Sequence, residues 1–221
     1  MKAVTWSHSS LKDYEGCPRR YQEVKVLKNY QFKETEATKY GTQFHEAAEF
    51  YVVNGTPLPP QFDYAKDTLD ALLAKPGRKL GEHKMGVTAN LDACGFMDKN
   101  VWVRGIADLI VLDDENLTAW VVDYKTGNNR YPDRDQLKLM ALMIFAHFPH
   151  VRKVNAALLF VVKNDMVKHN MTIDQTQAEW WEYRQRVARI EQAHETGVWN
   201  PRPSPLCPWC PVTTCENHPK H

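Results

Sequence analysis

The chain has 221 residues, 43% of them hydrophobic and 25% charged, which suits one ordinary domain with a real core and excludes a disordered chain. A formal net charge of +1 excludes a broad basic coat, although basic groups can still be confined to one groove. No apolar run approaches the length of a membrane span and the first residues lack a signal-peptide core, so no membrane contact and a cytoplasmic location are expected, the host cytoplasm if the protein is viral.

Ser7, Ser9 and Ser10 offer capping hydroxyls ahead of an acid at capping-box distance, so a first helix is expected there, running toward Cys17-Pro18. Residues 40–54 read as a second helix, opened near Gly41-Thr42 and stopped at Asn54-Gly55. Phe44, Ala47, Ala48 and Tyr51 form its apolar stripe, and His45 sits at the stripe's edge. A helix from about Asp63 to Ala74 follows and stops at Lys75-Pro76-Gly77. Leu80 to Leu91 reads as a strand carrying Glu82, as readily a surface acid as a site residue, and Cys94 as a small apolar residue.

Val101 to Leu112 is a β-rich run with one acid, Asp108, in its apolar half, and residues 113–116 supply a hairpin turn. Trp120 to Lys125 is the returning strand, closed by the turn chemistry of Thr126-Gly127. Alternation puts Asp123 and Lys125 on one face and Tyr124 on the other. A carboxylate among Ile106, Leu109 and Ile110 is costly to bury unless a cation or strong donors meet it. Pairing the strands lets Asp108 and Asp123 converge with Lys125 beside them. That is a minimal kit for metal-assisted phosphodiester hydrolysis: acids to hold Mg²⁺ or Mn²⁺, and a lysine to orient water or stabilise developing charge.

Residues 127–135 form a polar loop in which Arg130, Tyr131 and Arg134 are available for phosphates or base stacking, or serve as solvated decoration. Asp135 to Phe148 is a helix that Gln136 begins, Val154 to Val162 a central strand, Met166 to Ile173 its partner, and Asp174 to Thr196 a long charged helix. The tail from Pro201 carries Cys207, Cys210 and Cys215. Five cysteines in a cytosolic-looking chain point to metal before disulfides, and Cys17 is available as a fourth thiolate. The tail has little apolar material of its own and is expected to fray without metal.

Gly105-Ile106-Ala107-Asp108, Val122-Asp123-Tyr124-Lys125-Thr126-Gly127 and Gln136-Leu137 together resemble the PD-(D/E)XK nuclease superfamily, specifically its RecB-like branch. The opening through Ser7, Ser9, Leu11, Tyr14, Cys17, Pro18 and Tyr21 is similar to that branch too. Met140 departs from it, standing where a tyrosine is usual. The resemblance implies an α/β fold: a restriction-endonuclease-like central mixed sheet of four or five strands flanked by helices. Residues 1–221 would form one nuclease domain, with 201–221 a cysteine-rich tail packed against the N-terminal helix.

It further implies that His45, within Gly41-Thr42-x-x-His45, joins Asp108, Asp123 and the Tyr124 backbone carbonyl around Mg²⁺ or Mn²⁺. Lys125 would act on water and charge, and Gln136 would orient substrate. Cys17, Cys207, Cys210 and Cys215 match the iron–sulfur staple of the AddB and CRISPR-adaptation nucleases, so a [4Fe-4S] cluster is expected, with structural Zn²⁺ (His218 substituting) as the alternative. The expected activity is a stand-alone, metal-dependent DNA nuclease, an exonuclease on single- or double-stranded ends in recombination, repair or phage DNA processing, working beside a recombination or replication protein. The alternative is an inactive nuclease-like DNA-binding or assembly module.

Overall fold

The structure is a computed structural model and describes residues 4–31, 34–130 and 132–219. It falls into two compact units, Glu34–Trp180 and the combination of Met1–Lys33 with Trp181–His221.

In the unit of the two termini, a two-residue strand (β1, Trp6–Ser7) leads into helix α1 (His8–Gly16). Ser7 caps α1, and the capping box closes through Ser10 rather than the expected acid. Asp13 is engaged elsewhere, by Arg20 at 3.1 Å and Lys25 at 3.4 Å. A single turn of helix, α2 (Pro18–Tyr21), continues as a π-helical turn over Gln22–Val26. Trp6 stacks on Tyr183, Tyr21 stacks on Trp199, and Arg186 grips Glu15 with both Nε and Nη2, at 2.6 and 2.7 Å.

The other unit holds helices α3 (Glu36–Asn54) and α4 (Lys66–Leu73) and strands β2 (Arg78–Thr88), β3 (Ala93–Cys94), β4 (Val101–Asp113) and β5 (Thr118–Lys125). Helix α5 (Arg134–His147) and strands β6 (Lys153–Phe160) and β7 (Asp165–Thr172) follow. Helix α6 (Thr176–Thr196) carries the boundary between the units. The strand order is β3-β2-β4-β5-β6-β7, with β5 and β6 parallel and the other neighbours antiparallel. A parallel pair needs a crossover, and α5 is that crossover. Among the described residues the mixed sheet thus has six strands in this unit rather than four or five. The surplus is at one edge, where the two-residue β3 offers no periodicity to read.

Helix α3 begins four residues before the expected start, because Thr35 and Thr38 form a capping box upstream of Gly41-Thr42. It ends where Gly55 turns left-handed at φ 69°. Phe44, Ala48 and Val52 of α3 and Leu69 and Leu72 of α4 pack on the sheet face carrying Leu109, Val111, Val122, Tyr124 and Leu159. Helix α5 is buried almost all round from Leu137 to Phe145, as a helix sunk against a sheet must be. No helix among the described residues is long and apolar enough to cross a membrane.

Candidate active site

The ladder between β4 and β5 ends at Leu109↔Val122, and the next residues along are Asp108 and Asp123. Where the strands part, the Asp108 side chain replaces a backbone acceptor: Tyr124 N donates to Asp108 Oδ2 at 2.6 Å. Its other oxygen lies 3.2 Å from His45 Nδ1. The strong donors that a carboxylate needs in this apolar setting are therefore present. Tyr124 points the other way, into the core, where its ring lies 5.8 Å from Phe44.

Asp123 and Lys125 share a face as alternation requires, with Lys125 Nζ 2.5 Å from Asp123 Oδ2. Gln136, in the first turn of α5, donates to Asp123 Oδ1 at 2.5 Å. Burial, and then the charge of Asp108, push the Asp123 carboxyl up to about 6, with Lys125 pulling against them. For His45, burial works to lower the pKa, but the hydrogen bond and charge of Asp108 outweigh it, with Asp123 and Glu82 adding, and the net shift is upward.

Glu82 is placed at the site by the register of β2 on β4. Gly81↔Leu109 and His83↔Ala107 set Glu82 opposite Asp108, so two acids face each other across an antiparallel pair. Glu82 also holds φ at 41°, a strained conformation for a residue with a side chain. One ligand atom each from His45, Glu82 and Asp108 lie within 4.8 Å of one another. Burial and the negative charge of Asp108 raise the Glu82 pKa. Neighbouring ligands in an octahedral Mg²⁺ shell stand about 3 Å apart, so the 3.2 Å His45–Asp108 separation fits a shared cation. An open cleft of about 690 Å³ leads to this group, lined by Thr38, Gly41, Thr42, Glu46, Glu49 and Thr126 as well as His45 and Glu82.

Arg130 lies in the exposed loop after β5 and Arg134 is exposed at the start of α5; Tyr131 lies outside the described residues. Met140, in place of a tyrosine, is buried in the hydrophobic core.

In the unit of the termini, Cys17, Cys207, Cys210 and Cys215 line one small cavity together with Arg19, Arg202 and His218. Arg202 N points to Cys17 Sγ at 3.4 Å, Ser204 N to Cys207 Sγ at 3.3 Å, and Asn217 Nδ2 to Cys215 Sγ at 4.0 Å. Donors aimed at three of four sulfurs are the surroundings that charged thiolates of a metal centre use. The tail is also anchored without metal: Arg202 Nη1 donates to Glu15 O at 2.6 Å, and Val212 is buried. It therefore has more to hold it than its composition suggested.

The sequence matches the PD-(D/E)XK nuclease superfamily over residues 5–86 and 58–215. No curated protein matches. Among solved structures, the chain is similar to one from Eubacterium rectale described provisionally as an exonuclease, with 14% identity, covering 92% of this chain and 86% of that one at a TM-score of 0.54. The crystal structure of SSO0001 shares 13% identity and covers 96% of this chain and 86% of that one, at a TM-score of 0.40. The family's pattern extends over nearly the whole chain, Asp108 through Lys125 included, on a mixed sheet flanked by helices; this chain belongs to the PD-(D/E)XK nuclease superfamily.

Proposed function

We propose that the protein is a divalent-metal-dependent deoxyribonuclease that trims DNA from its ends. The observation that carries this reading is the meeting of His45, Glu82 and Asp108 within 4.8 Å, beside the buried Asp123–Lys125 pair. Mg²⁺ or Mn²⁺ would be held by those three residues, by Asp123 and by the Tyr124 backbone carbonyl, the imidazole favouring Mn²⁺. When bound, the metal supplies an activated water and a counter-charge for the leaving oxygen.

The chain's own groups set up the reaction. Asp108 accepts from Tyr124 N and fixes the end of β5, so the Asp123-x-Lys125 segment presents both its polar side chains at one place. Gln136 holds one oxygen of Asp123 and leaves the other to Lys125. The Lys125 side chain is 34% exposed, so its ammonium can leave Asp123 for the attacking water or a phosphate oxygen. Three acids crowded together repel a phosphate until a cation offsets them, which makes metal a condition of substrate binding as well as of chemistry.

The four cysteines are proposed to hold a [4Fe-4S] cluster as a structural staple, with Zn²⁺ on the same sulfurs, or with His218, as the competing occupant. The test of the activity is end-labelled single- and double-stranded DNA incubated with Mn²⁺, Mg²⁺ or chelator. Metal-dependent release of short products from an end supports an exonuclease, internal cuts an endonuclease, and an inert protein that still binds DNA a non-catalytic module.

A further inference from the structure

The net charge of +1 hides a local imbalance on the sheet face where α3 and α4 pack. Lys79, Val111, Trp120, Asn155 and Asn170 are successive cross-strand partners from β2 to β7, so their side chains form one row on one face. Val111 belongs to the core beneath the helices, which fixes the face as theirs. The row above ends in Lys168, paired through Ala157 with Val122, and the row below carries Lys153 beside Thr118. Trp120 closes the edge of the core, and beyond it Lys153, Lys168 and Asn170 are exposed.

Two ammoniums converge on that indole. Lys75, just past the end of α4, holds Nζ 4.0 Å from the centre of the Trp120 ring, and Lys168 Nζ lies 5.8 Å from it. Lys79 Nζ is fixed beside them by Lys75 O at 2.5 Å and Gly77 O at 3.0 Å. Among the described residues none of Lys75, Lys79, Lys153 and Lys168 has a carboxylate partner. Asp113, the acid in the row below, has both oxygens engaged by Asn116.

Size and chemistry point to the occupant. Strands lie about 4.8 Å apart, so the row from Lys79 to Asn170 spans about 19 Å, too far for one small anion to bridge. An extended polyanion can meet all four lysines, with the Asn155 and Asn170 amides available as further donors. The three rows expose no apolar side chain of the kind a protein partner buries, and Lys75 over the ring leaves the backbone rather than a base as the contact. Trp120 precedes Lys125 by five residues, about 17 Å along β5, so this face is separate from the acids. We infer that it is a second DNA-binding surface, which grips the phosphate backbone away from the point of cutting. The choice of DNA rests on the nuclease reading, but the surface is tested by binding alone.

The probe is a 5′-fluorescein-labelled 20-mer of thymidylate, followed by anisotropy with the full chain in EDTA, where the uncompensated acids repel phosphate and cleavage cannot interfere. The wild type should bind at 50 mM NaCl and weaken steadily as salt rises, and an abasic strand of the same length should bind equally well. Each lysine that meets a phosphate adds about 0.7–0.9 to the slope of log affinity against log salt. Converting Lys75 and Lys168 together to Gln should therefore cost about tenfold or more at 50 mM NaCl and flatten the slope by about 1.4–1.8. The same pair converted to Arg keeps charge and ring contact and should bind as the wild type does, which guards against a variant that fails to fold. Lys99→Gln, in the exposed turn before β4, removes a charge elsewhere and should change nothing. No binding by the wild type in EDTA, or a Lys75/Lys168 Gln variant that binds as tightly as the wild type, would overturn the surface. Poly-glutamate of matched charge that displaces the strand as well as unlabelled DNA does would overturn the choice of DNA and put an acidic protein segment there. Loss of cleavage with EDTA binding intact would fall on the metal site and leave this surface standing.

Discussion

Asp123 shows the cost of the site at the level of one residue. Its carboxyl is buried beside Asp108, and its pKa rises from 3.8 to about 6. The folded protein therefore holds this proton more tightly than the unfolded chain. The contribution to metal-free stability is fully present below about pH 4 and is lost as pH climbs through about 6, to the extent of roughly 3 kcal/mol. Asp123→Asn should abolish cleavage yet raise the metal-free protein's stability at pH 7 by about 1–3 kcal/mol, the lost pairing with Lys125 reducing the gain. Urea melts of both proteins at pH 4 and pH 7 check this, and the gap should close at the lower pH. His45→Ala should fold, lose activity, and recover part of it at high Mn²⁺, because the variant lacks the proposed imidazole ligand and keeps Glu82 and Asp108. Activity measured across a Mn²⁺ titration checks that.

Among the elements, the β4–β5 hairpin is the best determined by sequence, and Gly77 anchors one side of it. Gly77 has φ 112°, and an added Cβ would lie 2.2 Å from Leu112 O, so Gly77→Ala should destabilise the fold by at least about 1–3 kcal/mol, read by thermal melting. The hairpin was legible because alternation alone sorts Asp123 and Lys125 from Tyr124, and because one acid in an apolar strand demands a partner. Glu82 was not. Nothing local marks it; its place beside His45 and Asp108 comes from the β2–β4 register that sets it opposite Asp108, and its strained φ is not revealed by composition. The early start of α3 was missed because Thr35 and Thr38 cap it through hydroxyls alone, while Gly41-Thr42 imitates a start. Gln136 was found through the resemblance, and the structure puts its amide on Asp123. Glu82→Gln, which keeps the shape and removes the charge, should weaken Mn²⁺ binding tenfold or more, measured by calorimetry.

At the scale of the whole molecule, the acids and the lysine all lie in one unit, and the four cysteines lie in the other. Converting both Cys207 and Cys210 to serine should strip bound metal and lower the melting temperature. The proposed link of Cys17 to the tail would close a loop worth on the order of 4–5 kcal/mol in the simple chain model. The Arg202–Glu15 bond and buried Val212 should keep the loss below that figure. Iron and zinc contents measured beside the melting temperature of wild type and variant decide between cluster, zinc and neither.

His45, Glu82 and Asp108, with the Asp123–Lys125 pair, are proposed to make a metal-dependent cutting site. Its most direct test is cleavage of end-labelled DNA by chelator-stripped protein as Mn²⁺ is titrated back, wild type beside Asp108→Ala. No products should form without metal, products should rise with Mn²⁺ for the wild type, and none should form at any concentration for a folded Asp108→Ala. Full cleavage in excess chelator, or by that variant, would contradict it.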